Sequence, residues 1–330
     1  PFTLGKRLRR YLLFIIIMIA SGNFFMNAQT PLVTGDINKY ARVTAVGSNF
    51  VDVSDVSDFS VGDTVMVIQM NGVRINAGTT TGLQGNYQNV VGEPGAYEIL
   101  LVSSINIISR RVTFSRVLLN AYDAATSIQI IKVRTYRDAI VNSELTAQLW
   151  DSASVSGGVL AFMVKGVLTL NDDIDLSGKG FRGGIAVQGN GNCQNLDATM
   201  TYESYNISSL AAGYKGEGLG FRTATDIPLY PDYMRGKGAN MTGGGGGNGH
   251  FSGGGGGANY GAGSVGDNEI TPDICGLLQP GGRGGFRVTD YATINHGVFM
   301  GGGGGASVWL TTPSNAHGGN GGGIIIIHAD

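Results

Sequence analysis

Three carboxylates crowd into one short stretch of the chain: Asp172, Asp173 and Asp175. Glycoside hydrolysis takes two carboxyl groups facing each other across a groove. Asp173 and Asp175 would share one face of a strand, so the spacing permits such a pair. Calcium, a hard cation that wants several oxygens, would accept the same cluster. The plainer reading is a polar turn, because no glycine-aspartate repeat of the calcium-binding type follows. Gly178 to Gly183 reads GKGFRG and matches G-x-G-x-x-G. A dinucleotide site needs that turn to open a helix, whereas the next residues, Gly184-Ile-Ala-Val-Gln-Gly, form none. Sharp backbone corners account for these glycines better. His250, His296, His317 and His328 are scattered, and zinc needs three or four converging ligands. No G-x-S-x-G elbow and no phosphate-binding G-x-x-x-x-G-K-[ST] occurs. The expectation is a chain with no catalytic, cofactor-binding or metal-ligating residues, hence no cofactor and no enzyme.

Two other groups could bind rather than react. Tyr202, Tyr205, Tyr214, Tyr230 and Tyr233 cluster in one irregular stretch. Tyrosine offers apolar area with a polar tip, so these rings form either a sugar-stacking surface or the small core of the stretch itself. Cys193 and Cys275 are the only cysteines. In an exported chain an even pair reads as a disulfide; two free thiols are the alternative. The bond would close a loop of about 80 residues, worth at most about 4–5 kcal/mol in the chain-entropy model.

The elements that must position these residues are unusual. Gly243 to Gly257 reads GGGGGNGHFSGGGGG, and Gly301 to Gly305 is a third five-residue run. Such runs are flexible linkers by default. Apolar punctuation by Phe251, Tyr260, Phe286, Phe299 and Trp309 argues instead for packed polyglycine-II strands. Glycine lets strands with three residues per turn approach closely, as at the collagen axis, although the G-X-Y period of collagen is absent.

Of the 56 glycines, 11 precede residue 157, so glycine divides the chain. Strand formers are abundant and helical periodicity is rare, which predicts an all-β protein. Segments 40–46, 50–53, 63–70, 97–102, 111–114 and 127–134 alternate with turn signals, and six such strands fit a small sandwich or barrel over 30–140. Residues 71–96, carrying Arg74, Asn86 and Glu93, read as a long loop and a candidate binding surface. From 141 to 330 the short strands 157–164, 167–170 and 174–178 predict solenoid coils. Gly323-Ile-Ile-Ile-Ile resembles Gly158-Val-Leu-Ala-Phe, as though one strand type returns after a Gly-rich excursion. Residues 189–242 read as an inserted surface loop. A strand signal of this kind at the last residues gives the second domain a truncated look.

Lys6, Arg7, Arg9 and Arg10 precede an apolar run from Tyr11 to Ala20. That pattern predicts a signal peptide over 1–28, cut after Ala28 or, second, after Gly22. The run is about half the roughly 20 residues a membrane span needs. Its removal leaves 18 basic against 24 acidic residues, a net −6. That balance carries no electrostatic footprint for nucleic acid, and no later apolar stretch is long enough for a transmembrane span.

Three pieces carry a resemblance: Val61 to Met70 (VGDTVMVIQM), Gly166 to Gly184 (GVLTLNDDIDLSGKGFRGG) and the five-glycine runs. In this order they resemble the N-terminal region of large Gly-rich exported proteins of gliding bacteria, the adventurous-gliding-motility-like substrates of a secretion system with a C-terminal sorting domain. The resemblance implies export machinery as a partner and display at the outer cell surface or release. It carries over no catalytic residue. The glycine runs also resemble, in composition, the Gly-rich domain of some receptor tyrosine kinase ectodomains. The expected function is an exported, cell-surface or secreted, non-catalytic structural or adhesion-type protein whose partners are surface glycans or other cell-envelope proteins. A polysaccharide-active β-helix enzyme and a Gly-rich ligand-binding module are the alternatives.

Overall fold

The computed structural model describes residues 31–75, 87–189, 202–205, 207–221, 234–268, 279–290, 297–309 and 316–329. The segment 1–28 read as a signal peptide, Cys193, Cys275, Tyr230, Tyr233 and His296 lie outside these residues.

Parallel pairing opens the described chain. Leu32 bridges Ile140, and β1 (Gly35–Asp36) runs parallel to Leu145 and Thr146. The chain then leaves for an antiparallel barrel. Its strands are β2 (Lys39–Val46), β3 (Phe50–Val53), β4 (Thr64–Gln69), then, after the hairpin β5 (Val73–Ile75) and β6 (Tyr87–Val90), β7 (Tyr97–Asn106), β8 (Arg111–Phe114) and β9 (Ile128–Lys132). The order β2-β3-β8-β7-β4-β9 closes because β9 pairs with both β4 and β2. Closure leaves no open sheet edge. Period-two alternation sends Val43, Val51, Val53, Val65 and Val67 inside, where they pack on Leu100, Val112, Phe114 and Ile130.

The stretch 71–96, read as a loop, contains the β5–β6 hairpin. β5 is also held on its other edge by a short strand from the Gly-rich half. The single strand expected over 127–134 breaks at Val133. Past it, β10 (Arg134–Tyr136), β11 (Ala139–Val141) and β12 (Leu145–Thr146) form one rung of a parallel stack, and β13 (Val159–Val164) and β14 (Leu168–Leu170) form the next. Arg134 faces Phe162 and Ala139 faces Leu168, a pitch of 28–29 residues. The change from antiparallel to parallel pairing thus falls between Lys132 and Arg134, and residues 32–36 and 134–141 pair with the stack.

The Gly-rich half departs after Leu176. It contributes β15 (Val187–Gln188), β16 (Gly220–Phe221), the partner of β5, and β17 (Val308–Trp309), which pairs with β15. It returns as β18 (Ile324–Ala329), parallel to β13 with Val159 opposite Ile324. The two similar glycine-apolar segments therefore lie side by side. β13 is buried on both faces, which is why it reads as one apolar run. Leu160, Phe162 and Val164 fill the stack interior. Val159 and Ala161 face Met66, Ile68 and Ile131 from the outside of the barrel.

Between the departure and the return lies a bundle of glycine strands. Successive amides of residues 301–307 donate to the carbonyls of Gly322, Ala258, Glu217, Gly319, Gly255, Tyr214 and Ala316 at 2.7–3.0 Å. Every third amide meets the same neighbour: those of residues 301, 304 and 307 all reach 316–322. Its carbonyls receive amides from two further segments, as in Gly244 to Gly303 (2.9 Å) and Gly184 to Gly304 (2.8 Å). This is the period of three that polyglycine-II geometry demands. A Cβ at Gly303 or Gly305 would overlap the carbonyl oxygens of Arg182 or Gly245, so here the glycines are required by close approach.

The structure is all-β: a six-stranded barrel and a Gly-rich solenoid-like part with polyglycine-II strands. Among the described residues one short 3₁₀ turn, Val288–Asp290, is the only helical piece. No helix among them is long and apolar enough to cross a membrane.

Candidate functional site: a cleft beside the Asp151 turn

The barrel, the stack and the glycine layer meet around a tight turn. Asp151 and Ser156 exchange backbone hydrogen bonds (2.9 and 3.2 Å) and close the loop Ser152 to Val155. The Asp151 carboxylate accepts from the amides of Ala153 (3.1 Å) and Ser154 (3.2 Å) and from the Ser154 hydroxyl (2.8 Å). These bonds, the Ser154 hydroxyl first, hold its carboxyl below the ordinary range. Val155 is forced to φ 51°, a left-handed conformation that a β-branched residue rarely adopts. Burial at 3% exposure against the core holds it there.

A charged network lies beside the turn. Arg182 donates through Nε (3.0 Å) and Nη2 (2.8 Å) to Glu217 Oε1, and its own amide donates to Oε2 at 3.1 Å. The Ser152 hydroxyl also donates to Glu217 Oε1, at 2.7 Å, and Arg182 reaches Ser152. The hydrogen bond to Glu217 raises the Arg182 pKa above its already high value. Arg182 is the last of the three variable residues of the GKGFRG motif. Within that motif Gly178 makes a corner at φ 68°, and Gly180 and Gly183 allow contact with the backbone of 318–322.

Two cavities flank the turn. One, of about 290 Å³, is bounded by Trp150, Phe181, Glu217, Asn71 and Asn240. The other, of about 720 Å³, is bounded by Thr44, Asp52, Ser54, Arg110 and Ser154. Arg42 lines both, so the two hollows of this cleft adjoin at its side chain. Trp150 is 1% exposed and packs edge-on against Phe181 at 5.9 Å. Its indole N–H is buried with no acceptor among the described residues. A third cavity, of about 510 Å³, is lined by Tyr260, Val288, Val298 and Phe299.

The residues singled out from the sequence lie elsewhere. Asp172, Asp173 and Asp175 are exposed at a corner of the stack. The Asp173 amide turns onto the Asp172 carboxylate (2.8 Å), and Asp175 accepts the Ser177 amide (2.7 Å). Ile174 between them bridges Leu145 and packs inward, so Asp173 and Asp175 do share the outward side. Tyr205 is buried at 8% exposure, with Tyr202 at 5.9 Å. The Tyr214 ring lies under the Arg235 guanidinium at 4.3 Å, and its hydroxyl accepts from Arg235 at 3.0 Å. His250 is buried, His317 accepts the Ala186 amide at 3.1 Å, and His328 sits exposed on β18. No group of three His, Cys, Asp or Glu residues able to hold a metal occurs among the described residues.

No family model matches the chain. No curated protein matches it either. Among solved structures it is similar to two phage tailspikes. One is the gp54 tailspike of Acinetobacter baumannii bacteriophage AP22, solved in complex with A. baumannii capsular saccharide, at 15% identity and a TM-score of 0.22. The match covers 42% of this chain and 24% of the tailspike. The other is the tailspike gp49 from Pseudomonas phage LKA1, at 16% identity and a TM-score of 0.17, covering 42% and 21%. The chain spans about a quarter or less of either protein's length.

Sequence reasoning missed the cleft residues. Arg42 is an outward position in an alternating strand, Arg110 a turn residue and Glu217 one carboxylate in a Gly-rich stretch. None of these carries a local signal of its role.

Proposed function

We propose that this chain is part of an exported, surface-displayed structural protein of adhesion type, without catalytic activity. The observation that carries the reading is the bonding of residues 301–307. Their amides and carbonyls engage five neighbouring segments around one strand. A bundle bonded on all sides through its backbone resists deformation and excludes solvent without recruiting reactive side chains. That suits a rigid body presented outside the cell. The basic n-region and short apolar run at 6–20 support export, and the resemblance to exported proteins of gliding bacteria points the same way.

The test is protease shaving of intact cells carrying an epitope-tagged gene, with adhesion to surfaces measured in a deletion strain. Surface exposure of the tag and reduced adhesion are expected. A tag found only in the cytosol overturns the reading. So does release of reducing ends from a polysaccharide panel by the purified chain, which would favour the β-helix enzyme.

A further inference from the structure

The cleft beside the Asp151 turn is rich in hydrogen-bond donors that the protein itself does not use. Arg42 and Arg110 line its larger part, and neither guanidinium has a hydrogen bond or ion pair among the described residues. The carboxylate that shares this cavity, Asp52, is already neutralised. Arg111 grips it with two bonds, Nε to Oδ1 at 2.7 Å and Nη2 to Oδ2 at 2.9 Å. Asp55, outside the cavity wall, lies within electrostatic reach of Arg110 and offsets part of its charge, while its carboxylate accepts from the Ser57 hydroxyl at 2.7 Å. With Asp52 matched by Arg111, Arg42 and Arg110 leave the cavity wall net positive in a chain whose net charge is −2. In the narrower part, Trp150 and Phe181 form an apolar floor, both almost fully buried.

The backbone points to the same place. Of the four non-glycine residues with positive φ among the described residues, Arg110 (52°) and Val155 (51°) both line this cleft. Strained residues of this kind cluster at ligand clamps. At the tip of the β7–β8 turn, this conformation keeps Arg110 on the cavity wall.

We propose that the cleft from Arg110 past Arg42 to Trp150 binds an anionic saccharide, one bearing carboxylate or sulfate groups. Guanidinium groups give paired donors to either anion. Thr44, Ser54 and Asn71 offer hydroxyl and amide groups suited to sugar hydroxyls. Trp150 and Phe181 are buried at 1% and 2% exposure, so the cleft lacks the stacking platform on which single-stranded nucleic acid relies. The proposal deepens the adhesion reading and rests on it only for the ligand's place outside the cell.

The test is calorimetric titration of the purified chain with oligogalacturonate, a sulfated chondroitin oligosaccharide, a neutral cello-oligosaccharide and an oligo-dT strand. Binding of one or both anionic sugars is expected, weakening as salt rises, with at least tenfold loss on adding the neutral sugar in their place. The uronate and sulfate arms identify which anion is read. Arg42→Gln and Arg110→Gln should each weaken binding about tenfold. Arg42→Lys should retain more affinity than Arg42→Gln. Arg137→Gln, the same charge change at an exposed position on the stack, should leave binding unchanged. Thermal melts verify that each variant is folded. Equal loss in Arg137→Gln, equal binding of the neutral sugar, tighter binding of oligo-dT, or no saccharide binding by the folded chain overturns the proposal. Because the titration uses purified protein, its failure is separable from failure of surface display.

Discussion

Asn38 and Ala161 exchange two hydrogen bonds, Asn38 Nδ2 to the Ala161 carbonyl at 2.7 Å and the Ala161 amide to Asn38 Oδ1 at 3.0 Å. Ala161 sits on β13 just before the point where β10 begins to pair with that strand. A side-chain amide from the start of the barrel thus continues the ladder of the stack. Its Nδ2 also donates to Lys132 O at 2.9 Å, at the barrel's end. Removing it leaves the buried amide and carbonyl of Ala161 and the part-buried Lys132 carbonyl short of a partner. Asn38→Ala should lower stability by about 2–4 kcal/mol, from unpaired groups of about 1–3 kcal/mol each with partial relaxation. Urea unfolding followed by tryptophan fluorescence measures it; a change below about 0.5 kcal/mol would contradict this placement.

The five-glycine runs need not be uniform in what they tolerate. A Cβ at Gly305 would collide with the Gly245 carbonyl, whereas at Gly304 the nearest atoms are 3.5 Å away. Gly305→Ala should cost about 2–3 kcal/mol or more, as overpacking does. Gly304→Ala should be within about 1 kcal/mol of neutral, given its ordinary contact distance. Thermal melts of the pair provide the comparison, and equal effects would argue for a linker.

Tyr40 donates its hydroxyl to Val159 O at 2.8 Å. Burial, with Asp36 adding to it, pushes the phenol far above its ordinary range. A folded-state pKa raised above the unfolded value gives stability that is complete below about pH 10 and lost as pH rises past it. Tyr122, raised mainly by burial, acts in the same direction. Stability should therefore fall between about pH 10 and 11, and Tyr40→Phe should flatten that fall while lowering stability at pH 8 by about 1 kcal/mol for the lost bond. Urea midpoints across this range decide it; an unchanged alkaline slope in Tyr40→Phe would contradict the burial account.

The acid limb has the opposite sign. The Arg111 hydrogen bonds lower the Asp52 pKa, so its contribution is present above about pH 4 and lost as pH falls through the lowered value. Asp52→Asn should reduce the pH dependence of stability below pH 4 and leave the alkaline limb alone. Denaturation at pH 3 and pH 7 checks both halves, and an unaltered acid limb would mean the pair contributes nothing.

Phe251 is exposed at 54% between two glycine runs. In a linker, chymotrypsin would cut there at once. Here the amide of Phe251 is bonded to Val308 O at 3.1 Å and both flanking runs are locked to neighbours. Cleavage at Phe251 should be slower than global unfolding, as mass spectrometry of timed digests would report.

The barrel strands were legible because alternation is local. Val51 and Val53 point inward and Asp52 outward, as the pattern in Phe50 to Val53 requires. The packed glycine layer was legible only in part from its apolar punctuation: Phe286 and Phe299 pack against the core, whereas Phe251 and Tyr260 are exposed at 54% and 81%. The nesting of the parts was harder to read. Parallel partners such as Leu32 and Ile140, or Val159 and Ile324, are far apart in sequence and carry no turn signal between them. The matching segments at Gly158 and Gly323 were the one trace of it. The cleft was not legible, because Arg42 and Arg110 meet only when β2, β3 and β8 pair side by side, and Trp150 comes near them only through that nesting.

The barrel departs and returns through paired residues, Lys39 opposite Lys132. The glycine layer does the same, with the Gly323 amide on Leu176 O at 2.9 Å. Tension applied along the stack would pass from rung to rung across side-by-side strands. Neither excursion lies in series with that load until its closing bonds give way. A protein held at a surface could thus be pulled without first unravelling the barrel or the glycine layer.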